Sequence, residues 1–309
     1  MAKIVFKRLF TLIPVLLLIS IMTFVLLNLA SSDAASILLQ KDGIKPTPAA
    51  LELKREELGL NRPLPAQYVS WLKGVVLFDF GNSYRTGRPV IQELMQALPA
   101  TLRLTAVAFV MLVGVTIPLG LLSALKPNSP ADFVGRLLSF VSVSMPSFWI
   151  GMLLLFGFAV KWKLVPVISN GSFRQSFLPA FTLMIGFVGS YIRHLRGNVV
   201  EILDKPYITA ARAKGMRETS ILFRHIMKNA MVPMITRFGM SFSGMLGGAA
   251  IIESIFSWPG LGTYVLDAIQ CRDIPAVQGY VLFLAGVIVL VNLLVDLLYA
   301  GMDPRIKLH

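Results

Sequence analysis

Six apolar stretches govern what this chain can become: residues 9–30, 104–125, 137–160, 176–192, 238–256 and 274–302. The first holds 22 residues without a charge. At about 1.5 Å of rise per helical residue, that is enough to cross a hydrocarbon core roughly 30 Å thick. Backbone amides in hydrocarbon must pair within their own segment, so each stretch reads as a helix rather than an exposed strand. Composition agrees: 55% of residues are hydrophobic, 15% are charged, and the mean hydropathy is +0.72. A typical soluble domain is about 25% charged. The first run is too long for the apolar region of a cleaved leader, so it reads as a retained span. The fold class is therefore an all-α integral membrane protein with six transmembrane helices.

Charge orients it. An even number of spans places both termini on one side. Fifteen Lys and Arg lie at the termini and in the loops 126–136 and 193–229, against four in the short loops on the other side. The positive-inside rule then puts both termini in the cytoplasm. The net charge of +13 is spread over these loops, which argues for membrane topology and against nucleic acid as a partner. Three regions follow: 1–30, the cytoplasmic N-terminus and first span; 31–100, an extracytoplasmic region; and 101–309, a five-helix core with a cytoplasmic loop at 193–233. Within the outer region, 48–58 reads as an amphipathic helix and 59–65 as a turn. Residues 68–78 read as an aromatic-rich helix on the membrane surface.

Catalytic chemistry is missing. Cys271 is the single cysteine and His194, His225 and His309 are the only histidines, without metal-ligand spacing. No phosphate loop of the Gly-x-x-x-x-Gly-Lys-Ser/Thr type occurs, and no nucleophile–base or paired-carboxylate pattern. The chain reads as a non-enzyme that binds no cofactor. Any ATP hydrolysis that drives it belongs to other polypeptides.

A few polar features stand out from this apolar background. Thr209-Ala210-Ala211-Arg212-Ala213-Lys214 is a run of helix formers, and Gly215 stops it. A second helix is expected through Arg224 and Lys228 to Pro233. Small Ala residues permit close docking into a groove, and Arg212, Lys214 and Arg217 are placed to meet acidic groups at its rim. Composition alone does not separate this from a basic loop lying on lipid headgroups. Glu253 ends an apolar run just before Trp258-Pro259-Gly260. A charge at mid-membrane costs roughly 2.5–3.5 kcal/mol on insertion scales, and less near the interface. Glu253 reads equally as a gate residue at a pore mouth or as an acid that pins the turn. Asp296 stands inside the last span, four residues from Asn292. Gly244 and Gly248 have the spacing that lets helices approach closely. Pro118, Pro146 and Pro179 are expected to kink spans two to four.

Several of these segments carry a family resemblance. Ala210, Ala211 and Gly215, with His225 to Pro233 downstream, resemble the cytoplasmic loop of ABC-transporter permease subunits. Thr209 stands where that family carries its first Glu. Leu77-Phe-Asp-Phe-Gly-Asn-Ser83, Ser144-Met-Pro146-Ser-Phe148, Glu253 to Gly262, Arg272-Asp-Ile-Pro275 and Asp303-Pro-Arg305 are similar to the dipeptide, oligopeptide and nickel branch, with nickel-type members closest in appearance.

The resemblance covers the whole chain. It implies the type I (MetI-like) importer architecture in a bacterial inner membrane. It also implies a homologous second permease, two ATP-binding subunits docked on Thr209–Gly215, and an extracytoplasmic substrate-binding protein. The cargo would be nickel, free or chelated, or di- and oligopeptides. Ser144, Pro146, Glu253 and Trp258 are the pore or gate candidates. A secondary transporter would need ion-coupling groups inside the membrane and often inverted repeats. Only Glu253 and Asp296 qualify as such groups, and no repeat is visible.

Overall fold

The computed structural model describes residues 2–30, 34–41 and 45–302. The described residues are helical apart from turns and one isolated antiparallel bridge, Asn82 with Pro89. Asp303-Pro-Arg305 and His309 lie outside the described residues.

Helix α1 (Ala2–Ala30) is the first apolar run. It is followed by α2 (Ala34–Lys41), α3 (Pro48–Glu57) and α4 (Leu64–Val76). Thr47 caps α3 by accepting from the Ala50 amide at 3.3 Å, and Pro48 sits in the first turn, where its missing N–H is no loss. Helix α4 starts at Leu64, ahead of the expected 68, because Pro65 also suits a first turn. Then come α5 (Val90–Leu125), α6 (Pro130–Ser144) and α7 (Ser147–Leu155), the last running on as a π turn over Phe156–Lys161. A 3₁₀ turn at Phe173–Ser176 leads into α8 (Phe177–Leu203), then α9 (Pro206–Ala213). Helix α10 (Glu218–Ile221) continues through a π turn (Leu222–Met227) into α11 (Lys228–Ile255). Helices α12 (Leu261–Gln270) and α13 (Ile274–Met302) end the chain.

Among the described residues five helices are long and apolar enough to cross a membrane, or six if the pair α6–α7, bent by 106°, counts as one span. The stretch 137–160 is thus not one straight span. Pro146 makes the break: it forces Met145 out of the helical region, to φ −122° and ψ 130°, and α7 restarts after it. The other expected kinks do not form breaks. Pro118 lies within the unbroken α5, and Pro179 falls in the first turn of α8. Pro233, expected to end a helix, lies inside α11. In the turn it disturbs, the Asn198 amide donates to the Ala230 carbonyl at 3.3 Å. Side-chain donors of this kind are how membrane helices tolerate proline. The loop 193–233 shrinks accordingly. Only 204–217 lies outside the long helices, since α8 runs on to Leu203 and the helix of span five begins at Glu218.

The chain forms two compact units. One holds residues up to Pro99 together with Pro259–Leu293, so 259–293 lies with α1–α4 and apart from the rest of the five-helix core expected over 101–309. Its core is Phe80, Val90, Leu94, Leu261, Val265 and Val277. Phe24 of α1 meets the rings of Tyr68 and Trp71 of α4 at 5.4 and 6.0 Å, and Ser20 shares a 2.8 Å hydrogen bond with the Tyr68 hydroxyl.

The other unit holds Ala100–Trp258 and the chain from Leu294. Its core follows α8, from Leu183 through Ile192 and Leu195 to Val199. Helix α6 lies tight against α8. A Cβ on Gly189 would stand 2.6 Å from Ser139 Cα, and one on Gly135 would stand 3.3 Å from Ile192 Cγ2. The Ser139 hydroxyl donates to the Gly189 carbonyl at 2.9 Å across this contact. Close helix approach was expected at Gly244 and Gly248. Within this chain it occurs at Gly135 and Gly189 instead, while a Cβ at Gly248 would meet nothing within 4 Å.

Candidate functional site

The loop 204–217 is built around α9. Pro206 opens the helix, and Gly215 closes it with φ +74°. Two hydrogen bonds, Gly215 N–H to Arg212 O at 2.9 Å and Met216 N–H to Ala211 O at 3.2 Å, form the Schellman cap that a left-handed glycine permits. The helix is anchored inward by Ile208 and Ala211, both buried. Thr209, Ala210, Arg212, Lys214 and Gly215 are exposed. The outward face thus carries the small residues Thr209, Ala210 and Gly215 beside the long basic Arg212 and Lys214, flanked by the half-exposed ring of Tyr207. Two sequence expectations change here. Ala211 is packed into its own unit and is not offered to a partner. Arg212 already holds Glu218 through a two-point pair at 2.8 and 3.3 Å. The pair ties α9 to α10 and braces the loop.

The candidate gate residues divide into two sets. Glu253 and Trp258 are fully buried. Thr101 donates to Glu253 Oε1 at 2.6 Å, and the Trp258 indole donates to the Ala100 carbonyl at 2.9 Å. The turn between them is another Schellman cap, with Trp258 N–H on Glu253 O at 2.8 Å. Neither side chain presents a surface at a mouth. Together they clamp the end of α11 onto α5. Ser144 and Pro146 are exposed at the α6–α7 break.

Ser257 occupies the left-handed position of the Glu253–Trp258 turn, at φ +47°, where an L side chain is strained. Replacing Ser257 with Gly is expected to raise stability by about 1 kcal/mol, read as a higher unfolding midpoint in detergent.

A third constellation was missed by sequence reasoning. Asp273, buried just before α13, accepts from the Ser83 hydroxyl, from the Arg85 amide at 3.0 Å and from the Ala276 amide at 3.3 Å. It caps a span and anchors the turn 81–90 at the same time. Asp79 in turn accepts from the Gly81 amide at 2.9 Å. Two motif segments quoted separately from the sequence, 77–83 and 272–275, therefore form one junction. A cap signal was legible in Asp273 ahead of an apolar run, but its second partner, 190 residues away, was not. Burial and the Asp273 charge push the Tyr84 hydroxyl up to about 12. Burial, with Glu93 and Asp273 behind it, raises Tyr264 as well. An open cavity of about 790 Å³ lies in the same unit, with Arg55, Arg62, Asp79, Tyr84 and Gln278 in its wall. Among the described residues, no group of three or more His, Cys, Asp or Glu could hold a metal ion.

Comparison with known proteins gives these sites a frame. Residues 116–308 match the family described as "binding-protein-dependent transport system inner membrane component", and residues 1–105 match its N-terminal counterpart. A probable peptide ABC transporter permease of Sinorhizobium fredii is 37% identical over 98% of both chains. An oligopeptide transport system permease of Bacillus subtilis is 36% identical over 99% of this chain and 100% of its own. A glutathione transport system permease of Pectobacterium atrosepticum is 35% identical over 97% of each. Among solved structures, an amino acid ABC transporter crystallised with histidines shares the fold, with a TM-score of 0.53 and 18% identity over 70% of this chain and 94% of that one.

Proposed function

Because the chain belongs to the inner-membrane components of binding-protein-dependent transport systems, we propose that it is the pore-forming permease subunit of an importer for short peptides. The observation that carries the peptide reading is near full-length similarity to relatives whose names specify peptides, oligopeptides or glutathione. Nickel is the other cargo the sequence resemblance allows.

The coupling mechanism rests on the loop geometry. Two separate ATP-binding subunits dock on the outward face of α9 and of its counterpart on a homologous second permease. Ala210 and Gly215 let the partner surface approach closely, and the Arg212–Glu218 pair keeps the loop stiff enough to pass on a displacement. Helix α9 follows α8 after a short turn and leads into the long helix of span five. Closure of the ATP-binding subunits then acts on both spans, as a rigid-body shift between inward- and outward-facing states. The α6–α7 break, with Ser144 and Pro146 exposed, is a point where the pathway can change shape. Glu253 and Trp258 hold α11 to α5 as the helices move. The exposed Gly244–Gly248 face of α11 is available to the second permease. An extracytoplasmic binding protein delivers the cargo, and both termini lie in the cytoplasm.

Uptake of a labelled dipeptide, a labelled oligopeptide and radioactive nickel in cells with and without the gene tests the cargo. Loss of peptide uptake with normal nickel uptake is the expected result. Loss of nickel uptake alone would reassign the protein to metal import.

A further inference from the structure

We propose that the cleft between α6 and α8 is a binding site for the phosphate of an anionic phospholipid headgroup. The cleft encloses about 260 Å³ and is lined by Arg136 and Asp132 of α6, Arg193 and Arg196 of α8, and Ser123, Ser139 and Phe140. This is room for a phosphodiester and its oxygens, not for acyl chains.

Charge is the first argument. Three guanidinium groups face one carboxylate. Asp132 is already committed: it accepts from the Asn128 amide at 3.0 Å and pairs with Arg136 at 3.4 Å and Arg196 at 3.3 Å. Among the described residues, Arg193 donates to the Ser139 carbonyl, at 3.3 Å, and to no carboxylate. The cleft therefore keeps a surplus of about two positive charges, on side chains whose planar donors suit phosphate oxygens. A structural role for the arginines alone would need one partner for Asp132, not three basic groups around it.

The surroundings are the second argument. The rim of the cleft continues onto an apolar strip of α6, Phe133, Leu137, Phe140 and Val143, all exposed. Phe140, at 68% exposure, both lines the cleft and joins that strip. A soluble anion has no use for an apolar flank, whereas a lipid places its headgroup in the cleft and its chains along the strip. The positive-inside orientation puts the 126–136 loop, and so this cleft, at the cytoplasmic leaflet. Basic pockets between spans on that side are where anionic headgroups are held. The orientation is the one premise shared with the proposed function, and the cargo does not enter.

The test uses the full chain reconstituted in nanodiscs of phosphatidylcholine with a minor fraction of phosphatidylglycerol, with retained lipid counted by native mass spectrometry. The wild type is expected to retain phosphatidylglycerol preferentially. Arg193→Gln is expected to lower that preference about fivefold, as is Arg136→Gln. Arg193→Lys keeps most of it, and Lys228→Gln, an exposed basic residue of the same cytoplasmic side outside the cleft, leaves it unchanged. Arg193 and Arg136 are exposed, so their loss spares the fold. The unfolding midpoint measured beside each lipid count checks this. An unchanged preference in both glutamine variants overturns the proposal. Displacement of the lipid by excess inorganic phosphate also overturns it, and assigns the cleft to a soluble anion.

Discussion

Trp258→Ala is expected to destabilise the protein by about 3–5 kcal/mol, the range for removing a fully buried large aromatic. Two losses combine in this figure. Trp258 has no exposed surface, so its removal leaves a cavity in the core of its unit. Its indole N–H also donates to the Ala100 carbonyl at 2.9 Å, and that hydrogen bond is lost. Trp258→Phe separates the terms: it keeps most of the volume and loses the hydrogen bond, so about 1–2 kcal/mol is expected. The measurement is the unfolding midpoint of purified protein in one detergent, with chain yield as a check on insertion. Equal losses for the two variants would mean that the hydrogen bond, not the packing, holds this turn. A negligible loss in both would remove the clamp from the account.

The second large effect concerns the buried carboxylate ahead of α13. Asp273→Ala is expected to cost about 3 kcal/mol, combining a lost helix cap with buried donors left unpaired. The orphaned groups are the Ser83 hydroxyl and the amides of Arg85 and Ala276. The turn 81–90 then loses its anchor. Limited proteolysis should cut near Arg85 and Arg88 in the variant and spare the wild type. Asp273→Asn keeps one acceptor oxygen and should fall between them. An alanine variant as protease-resistant as the wild type would show that the bridge Asn82–Pro89 holds the turn unaided.

Features set by local rules were legible in the sequence. The stop at Gly215 needs only a residue tolerant of positive φ, and the turn around Pro146 needs only the steric effect of proline on its predecessor. The helix 48–57 followed from its composition, and its cap at Thr47 obeys the same local rules.

The misreadings share a cause. Apolar runs mark where a helix enters hydrocarbon, not where it ends, so α8 and the helix of span five extend well past their apolar limits through polar residues such as Asn198 and Glu218. Proline reads as a breaker in one dimension, yet Pro179 falls in a first turn and Pro233 is tolerated beside Asn198. Partners set by tertiary structure were invisible. Arg212 was assigned to an external acid while Glu218 lay six residues away, and the Thr101 partner of Glu253 stands 152 residues from it in sequence. Asp273 and Ser83 came together only in three dimensions.

The central claim is that the outward face of α9 passes ATP-driven motion from separate subunits to this chain. Gly215→Trp tests it most directly. A left-handed position costs any L residue roughly 1–2 kcal/mol, so Gly215→Ala carries the same backbone strain without the bulk. No atom lies within 4 Å of a Cβ built at Gly215, so a side chain there starts into open space. With both variants inserted at wild-type levels, peptide uptake is expected to survive in Gly215→Ala and to be lost in Gly215→Trp. Wild-type uptake by a well-inserted Gly215→Trp protein would contradict docking at this face.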